Sequence, residues 1–130
     1  MIVVDTNVIA YLIEDRPASR RARAIDPEWA VPLLWRSEYR NVLAGDIRRR
    51  QMAVGAALEA FQAAELLVAD REYQADAAQV LRLVAGSRCS AYDCEFVAIA
   101  QTLGVPLVTA DRRLAAEFPE TAITLDTFAA

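Results

Sequence analysis

The chain has 130 residues, 55 % of them hydrophobic, and a formal net charge of −4. This length fits one domain over residues 1–130, and no apolar run approaches the ~20 residues that a membrane-spanning helix needs. The chain has no His and no Lys, so all 14 basic residues are Arg, which excludes His-based acid–base catalysis, His-ligated zinc, a P-loop lysine and Schiff-base chemistry.

The first half of the chain alternates short apolar runs with helical patterns. A β-branched run, Ile2 to Val4, predicts a buried strand. Pro17 suits the first turn of a helix, and Pro32 closes a second short strand. In order, we predict a strand over 2–4, helices over 8–14 and 17–25, a strand over 29–31 and a long helix over 33–50.

The second half continues the alternation. Gly86 and Gly104 predict helix ends, and Pro106 fits only at the beginning of a strand. The segment 65–70 is compatible with either a helix end or a short strand. We predict helices over 52–65, 73–84, 90–103 and 111–118, and strands over 105–109 and 122–125. Short strands separated by helices predict an α/β fold, a three-layer α/β/α sandwich with a short, mainly parallel sheet.

Two carboxylates occupy equivalent places in this pattern. Asp5 and Asp111 each follow an apolar strand and precede a helix. Either residue alone is explained as a helix N-cap. If the two strands are neighbours in a parallel sheet, however, both carboxylates emerge at the edge where open α/β sheets bind their ligands.

Two further carboxylates lie on predicted helices. Asp93 completes a capping box that begins at Ser90, which is compatible with a second role as a ligand. Glu38 lies inside the long helix, beside its apolar stripe, where a carboxylate must be paired, protonated, bound to a metal or able to reach water. Glu95 and Asp126 are further candidates. Glu95, however, lies two positions after Asp93 and points elsewhere on the helix, and Asp126 is predicted to lie on the surface.

Four carboxylates in one cleft repel one another, and a cation would keep them ionised. Oxygen ligands without His or Cys suit Mg²⁺ or Mn²⁺, which commonly bind phosphates and activate water. The Arg residues cluster along the chain, so local patches are able to bind phosphate within an acidic whole, although solvated helix faces are the simpler explanation of any single cluster.

The two cysteines and the first residues of the sequence bear on the cellular compartment. Cys89 and Cys94 do not form a Cys-x-x-Cys pair, and we expect two reduced thiols. No basic segment precedes the first apolar run, and Asp5 interrupts that run, which argues against a signal peptide. We therefore expect a cytoplasmic protein with no membrane association.

Four segments resemble the successive motifs of PIN-domain nucleases. They are Val3 to Val8, Ser37 to Leu43, Ser90 to Ala100 and Leu107 to Leu114. Each motif is weak by itself, but together they stand in the family's order and spacing over nearly the whole chain. With this length, the chain resembles the VapC-type toxins of bacterial and archaeal toxin–antitoxin pairs. Residues 52–87 carry no family motif.

The resemblance implies an α/β/α fold and a metal-dependent endoribonuclease. Asp5, Glu38, Asp93 and Asp111 match the family's acidic quartet, which implies a catalytic centre that binds Mg²⁺ or Mn²⁺. Asn7 matches the polar residue after the first Asp.

In the same way, Thr109 matches the hydroxyl two residues before the last Asp. Arg112 or Arg40 would hold flanking phosphates. The implied reaction is hydrolysis of an RNA phosphodiester by a metal-activated water. The implied partners are RNA, a small antitoxin protein and a second copy of the chain in a homodimer.

Other classes remain open at this stage. A non-catalytic PIN-like binding domain would use the same acidic cleft to dock a protein partner, and lack of metal-dependent turnover would distinguish it. A phosphoacceptor receiver domain normally needs a Lys near its acids, and this chain has none. A dinucleotide-binding domain would need a Gly-rich loop after a strand, and the four Gly are scattered.

Overall fold

The computed structural model describes residues 1–13 and 28–130 as a parallel sheet flanked by helices. Five strands in the described residues form the sheet in the order β3-β2-β1-β4-β5, and every pairing is parallel. The strands are β1 (Ile2–Val4), β2 (Trp29–Pro32), β3 (Glu72–Tyr73), β4 (Leu107–Thr109) and β5 (Ala122–Thr124). This topology confirms the predicted α/β class.

The central strand β1 explains why the fold places its acidic residues together. Val3 pairs with Ala30 on one side and Leu107 on the other, and all three are fully buried. A strand covered on both faces reads as a continuous β-branched run, as the sequence does here. Since β1 and β4 are parallel neighbours, the residues that follow them emerge at the same edge, as predicted for Asp5 and Asp111.

The helices follow the predicted pattern with shifted ends. The described helices are α1 (Thr6–Ile13), α2 (Trp35–Arg49), α3 (Val54–Leu67), α4 (Ala77–Ala85), α5 (Ala91–Leu103), α6 (Arg112–Glu117) and α7 (Leu125–Phe128). In the segment 65–70, residues 65–67 end α3 and residues 68–70 form a turn, so the segment is not a strand. The predicted helix over 17–25, with its Arg cluster, lies outside the described residues.

Several predicted boundaries were wrong, and three of them concern how elements begin or end around the site and the sheet edge. Helix α1 begins at Thr6, two residues earlier than predicted. Leu125 begins the short helix α7 and does not extend β5, because the Thr124 hydroxyl accepts a hydrogen bond from the Thr127 N–H and caps the helix. Tyr73 belongs to β3, and α4 begins only at Ala77, after Asp76 as its N-cap.

Tertiary contacts explain why the sequence pattern did not predict strand β3. The Arg36 guanidinium on α2 donates 2.7 Å hydrogen bonds to both carboxylate oxygens of Glu72, and the Trp35 indole donates to the same group at 3.0 Å. Arg36 also bonds Glu65 at the end of α3. These contacts tie the edge strand to α2, the helix that follows β2, and local periodicity carries no information about them.

Helix α5 begins and ends as predicted. The Ser90 hydroxyl accepts the N–H of Asp93 at 3.1 Å, and Gly104 ends the helix with a φ of 67° that favours glycine. Cys89 and Cys94 are free thiols, as expected. In the described ranges no helix is long and apolar enough to cross a bilayer.

Candidate metal centre

Asp5 lies at the middle of the acidic edge of the sheet. It follows β1 directly, its N–H donates to the Val108 carbonyl of β4 at 2.9 Å, and the residue is only 8 % exposed. Its carboxylate accepts the Thr6 N–H at 2.8 Å, the Thr109 hydroxyl at 2.7 Å and a longer contact from the Asn7 amide at 3.4 Å. Asp5 is therefore held by donors from both strand ends.

The environment of Asp5 opposes its ionisation. Burial is the largest effect, and the charges of Glu38 and Asp93 add to it, so that the pKa of Asp5 rises to about 6. The hydrogen bonds from Thr109 and Thr6 act in the opposite direction and stabilise the carboxylate. Among the described residues no ion pair neutralises Asp5, so its charge would be balanced best by a bound cation.

Glu38 reaches this edge from the interior of α2. Its carboxylate is half-buried and accepts the Thr6 hydroxyl at 2.8 Å. Burial raises the pKa of Glu38, the Thr6 hydrogen bond lowers it, and the charges of Asp93 and Glu95 raise it further. The predicted location beside the apolar stripe is confirmed, and Arg36 is paired elsewhere, with Glu65 and Glu72.

The turn after β4 is built from the side chains of Thr109 and Asn7. Thr109 is fully buried, and its hydroxyl donates to Asp5 while accepting the Asp111 N–H at 2.9 Å. The Asn7 carbonyl oxygen accepts the Ala110 N–H at 3.1 Å. These bonds fix the direction in which the chain leaves β4 and so the position of Asp111 relative to Asp5.

Asp111 caps a helix, as the N-cap interpretation of this residue predicted. Its Oδ1 accepts the N–H groups of Arg113 and Leu114, at 2.9 and 3.3 Å, and so starts α6. Only one of its two oxygens makes these bonds, which leaves the other available to a ligand. Capping and ligand roles are thus compatible at this position.

Asp93 lies in the first turn of α5 and completes the predicted capping box with Ser90. Burial is the main reason that the pKa of Asp93 is raised, and the charge of Asp111 adds to the shift. Asp93 in turn raises the pKa of both Asp5 and Glu38. Asp5, Glu38 and Asp93 thus lie within electrostatic range of one another, and Asp111 lies within range of Asp93.

The donor set fits a hard divalent cation in its chemistry, although it is not a closed ligand cage. In the described part of the chain, no three carboxylates or thiols lie close enough together to hold one ion. The edge nevertheless supplies four carboxylates, with hydroxyl and amide groups that orient Asp5 and Glu38. All-oxygen ligands of this kind suit Mg²⁺ or Mn²⁺, which keep several waters when bound.

The two arginines that were predicted to contact phosphate lie on exposed surfaces. Arg112 is the first residue of α6, next to Asp111. Arg40 lies on α2, with its guanidinium 5.6 Å from the centre of the Phe61 ring and a 3.3 Å hydrogen bond to Ser37. No contact of either residue tests the predicted role.

Thr6 was not singled out as part of the site, and Glu95 was named only as a further candidate. Thr6 is buried and connects the two central carboxylates, because its N–H bonds Asp5 and its hydroxyl bonds Glu38. A hydroxyl residue directly after the strand-ending Asp was a usable signal. Glu95, predicted to point elsewhere on α5, is close enough to raise the pKa of Glu38.

The family described as PIN domain matches residues 2–119, which is most of the chain. A comparison with curated proteins finds no match.

Solved structures similar to this chain include three from different organisms. A crystal structure of PAE2754 from Pyrobaculum aerophilum has a TM-score of 0.73 and 24 % identity, covering 98 % of this chain and 92 % of that one. A toxin–antitoxin complex from Klebsiella pneumoniae has a TM-score of 0.68 and 20 % identity, covering 96 % and 98 %. FitAcB from Neisseria gonorrhoeae has a TM-score of 0.73 and 19 % identity, covering 96 % and 98 %. At these identities the similarity shows the fold.

Proposed function

The chain belongs to the PIN domain family, and from this premise we propose that it is a metal-dependent endoribonuclease that hydrolyses RNA phosphodiester bonds. The observation that carries the proposal is the buried Asp5 carboxylate with a pKa of about 6, set among three further carboxylates at one sheet edge. Concentrated negative charge in a cleft repels a phosphodiester unless a cation is present. Members of the PIN domain family are typically nucleases, which supports the same conclusion.

The proposed ligands of Mg²⁺ or Mn²⁺ are Asp5, Glu38, Asp93 and Asp111. A bound cation would supply positive charge for the scissile phosphate and acidity for the attacking water. Asp5 is the central ligand in this proposal because it is the most deeply buried of the four carboxylates and receives the most hydrogen bonds.

The remaining side chains would position these groups. The Thr109 hydroxyl and the Thr6 N–H hold the Asp5 carboxylate in one orientation. The Thr6 hydroxyl holds Glu38, whose second oxygen would bind the cation or accept a proton from water. Arg112 would contact a phosphate that flanks the cleavage site, since it is exposed next to Asp111.

We further propose that the protein is the toxin of a toxin–antitoxin pair, with a small antitoxin protein as partner and a homodimer as its assembly. The similar structure from Klebsiella pneumoniae is described as a toxin–antitoxin complex, which supports this assignment. Growth arrest on expression, abolished by Asp5→Asn and relieved by a small protein encoded next to this chain, would be the expected behaviour. Growth unaffected by the wild type would contradict the toxin assignment and leave the nuclease proposal standing.

The nuclease proposal is tested with purified protein and single-stranded RNA. We expect cleavage in Mn²⁺ or Mg²⁺, none in EDTA, and near-background cleavage by Asp5→Asn. A matched control is Asp70→Asn, because Asp70 is exposed and has a φ of 66°, a conformation that Asn adopts readily. Cleavage that persists in EDTA, or full activity of Asp5→Asn, would contradict the proposal. A wild type without metal-dependent turnover would instead favour the non-catalytic binding domain.

A further inference from the structure

A small groove lies beside the acidic edge and takes no part in the proposed chemistry. It has a volume of about 260 Å³ and is lined by Ala75, Ala77, Val80, Leu81 and Glu95. Leu81 is 63 % exposed, so one apolar wall is open to solvent. Below, this feature is called the Glu95 groove.

The topology brings the Glu95 groove to the same edge as the four carboxylates. Strand β3 runs parallel to β2, so the chain after Tyr73 leaves the sheet at its carboxyl edge. Ala75 and Ala77 follow within four residues. Helix α5 enters the same region with Asp93 in its first turn and Glu95 two positions beyond.

Glu95 connects the groove to the cleft. Its side chain lines the groove, and it follows Asp93 by two positions at the start of α5. A residue that lines the groove so close to a carboxylate of the acidic edge lies at the boundary between the two. A molecule bound in the cleft therefore has the groove as its immediate neighbour.

The side chains that line the groove indicate which kind of ligand it would bind. Four of the five lining side chains are small or aliphatic and offer contact to a flat apolar face. The fifth is a carboxylate, which accepts hydrogen bonds and repels phosphate. A nucleobase combines an apolar face with N–H donors at its edge, whereas the phosphate backbone has neither an apolar face nor N–H donors. Single-stranded RNA is commonly recognised through bases that are turned out and hydrogen-bonded at their edges.

We propose that the Glu95 groove is a base-binding subsite beside the cleavage position, and that Glu95 selects bases with an exocyclic amino group over uracil. The proposal rests on the proposed nuclease function. Carboxylates accept hydrogen bonds from exocyclic amines such as N4 of cytosine. Adenine and guanine also carry such amines. Uracil offers a single N–H between two carbonyl oxygens, which a carboxylate repels.

The test maps cleavage positions in a pool of random single-stranded RNA. For the wild type in Mn²⁺, we expect adenine, guanine or cytosine to exceed uracil at one position next to the cut by about fivefold or more. Glu95→Gln replaces the carboxylate by an amide that also donates to carbonyl oxygens, so the preference against uracil should disappear. Ala77→Leu narrows the groove and should reduce the preference without removing a charge.

Glu120→Gln is the matched control, because Glu120 is exposed and lines a different pocket at the other end of α5. It should cleave with the wild-type base preference. Thermal melting confirms that each variant is folded. Cleavage without any base preference, or an unchanged preference in both groove variants, overturns this inference while the nuclease function stands. Absence of metal-dependent cleavage by the wild type overturns both.

Discussion

Replacement of Asp5 by Asn should stabilise the metal-free protein near neutral pH. Burial and neighbouring carboxylates raise the pKa of Asp5 from 3.8 to about 6 in the folded protein. A carboxyl group with a raised folded pKa favours folding when it is protonated. Its contribution is therefore fully present below the unfolded value, near pH 4, and is lost as the pH rises through 6.

The magnitude follows from the shift. About 2 pKa units at 1.36 kcal/mol each correspond to a loss of about 3 kcal/mol in the free energy of unfolding between pH 3.5 and pH 7.5. The amide of the Asp5→Asn variant cannot ionise and does not suffer this loss. The amide has one acceptor oxygen where the carboxylate has two, so the Thr109 or Thr6 hydrogen bond is impaired, at a cost of about 1 kcal/mol that does not depend on pH.

The assay is urea unfolding of the wild type and Asp5→Asn in EDTA across this pH range. The difference in unfolding free energy should move by about 3 kcal/mol in favour of Asp5→Asn as the pH rises. Mg²⁺ or Mn²⁺ at pH 7.5 should then stabilise the wild type and stabilise the variant much less, since binding to the folded state shifts the equilibrium according to its affinity. A difference that is flat with pH would refute the account of Asp5 as a buried, unneutralised carboxylate.

Two hydroxyl groups give further predictions. Thr109→Val should lower the unfolding free energy by about 1–3 kcal/mol and weaken Mn²⁺ binding, because the buried hydroxyl donates to Asp5 and accepts the Asp111 N–H. Thr109→Ser keeps a hydroxyl and should restore both properties. Denaturant unfolding and calorimetric Mn²⁺ titration measure the two effects, and a Thr109→Val protein with wild-type affinity would contradict the proposed positioning role. Ser90→Ala should cost about 1 kcal/mol through loss of the α5 cap that also holds Asp93, and Ser90→Thr should cost less. An unchanged urea midpoint in Ser90→Ala would show that this cap contributes nothing.

The sequence specified the central strands and the acidic edge because their signals are local. A β-branched run followed at once by Asp5 identifies both a buried strand and its carboxyl end. The same combination recurs before Asp111, and the parallel pairing of β1 with β4 then brings the two residues to one edge. Capping at Ser90 and the helix end at Gly104 are also encoded by a few adjacent residues.

The edge of the fold was less predictable because distant contacts determine it. Glu72 and Tyr73 have no strong strand pattern, and they form β3 because Arg36 and Trp35 on α2 bond the Glu72 carboxylate. In the same way, the role of Thr6 depends on the approach of α2, since its hydroxyl bonds Glu38, 32 residues away. Local sequence patterns carry no information about contacts between residues so far apart in the chain.

Binding of Mn²⁺ tests the central claim most directly. Calorimetric titration of the purified protein at pH 7.5 compares the wild type, the control Asp70→Asn and the single amide variants of the four carboxylates. These variants are Asp5→Asn, Glu38→Gln, Asp93→Asn and Asp111→Asn. We expect the wild type and the control to bind Mn²⁺ alike, and each of the four variants to bind it at least about tenfold more weakly. A wild type that binds no Mn²⁺, or four variants that bind it as the wild type does, would contradict a single metal centre at this edge of the sheet.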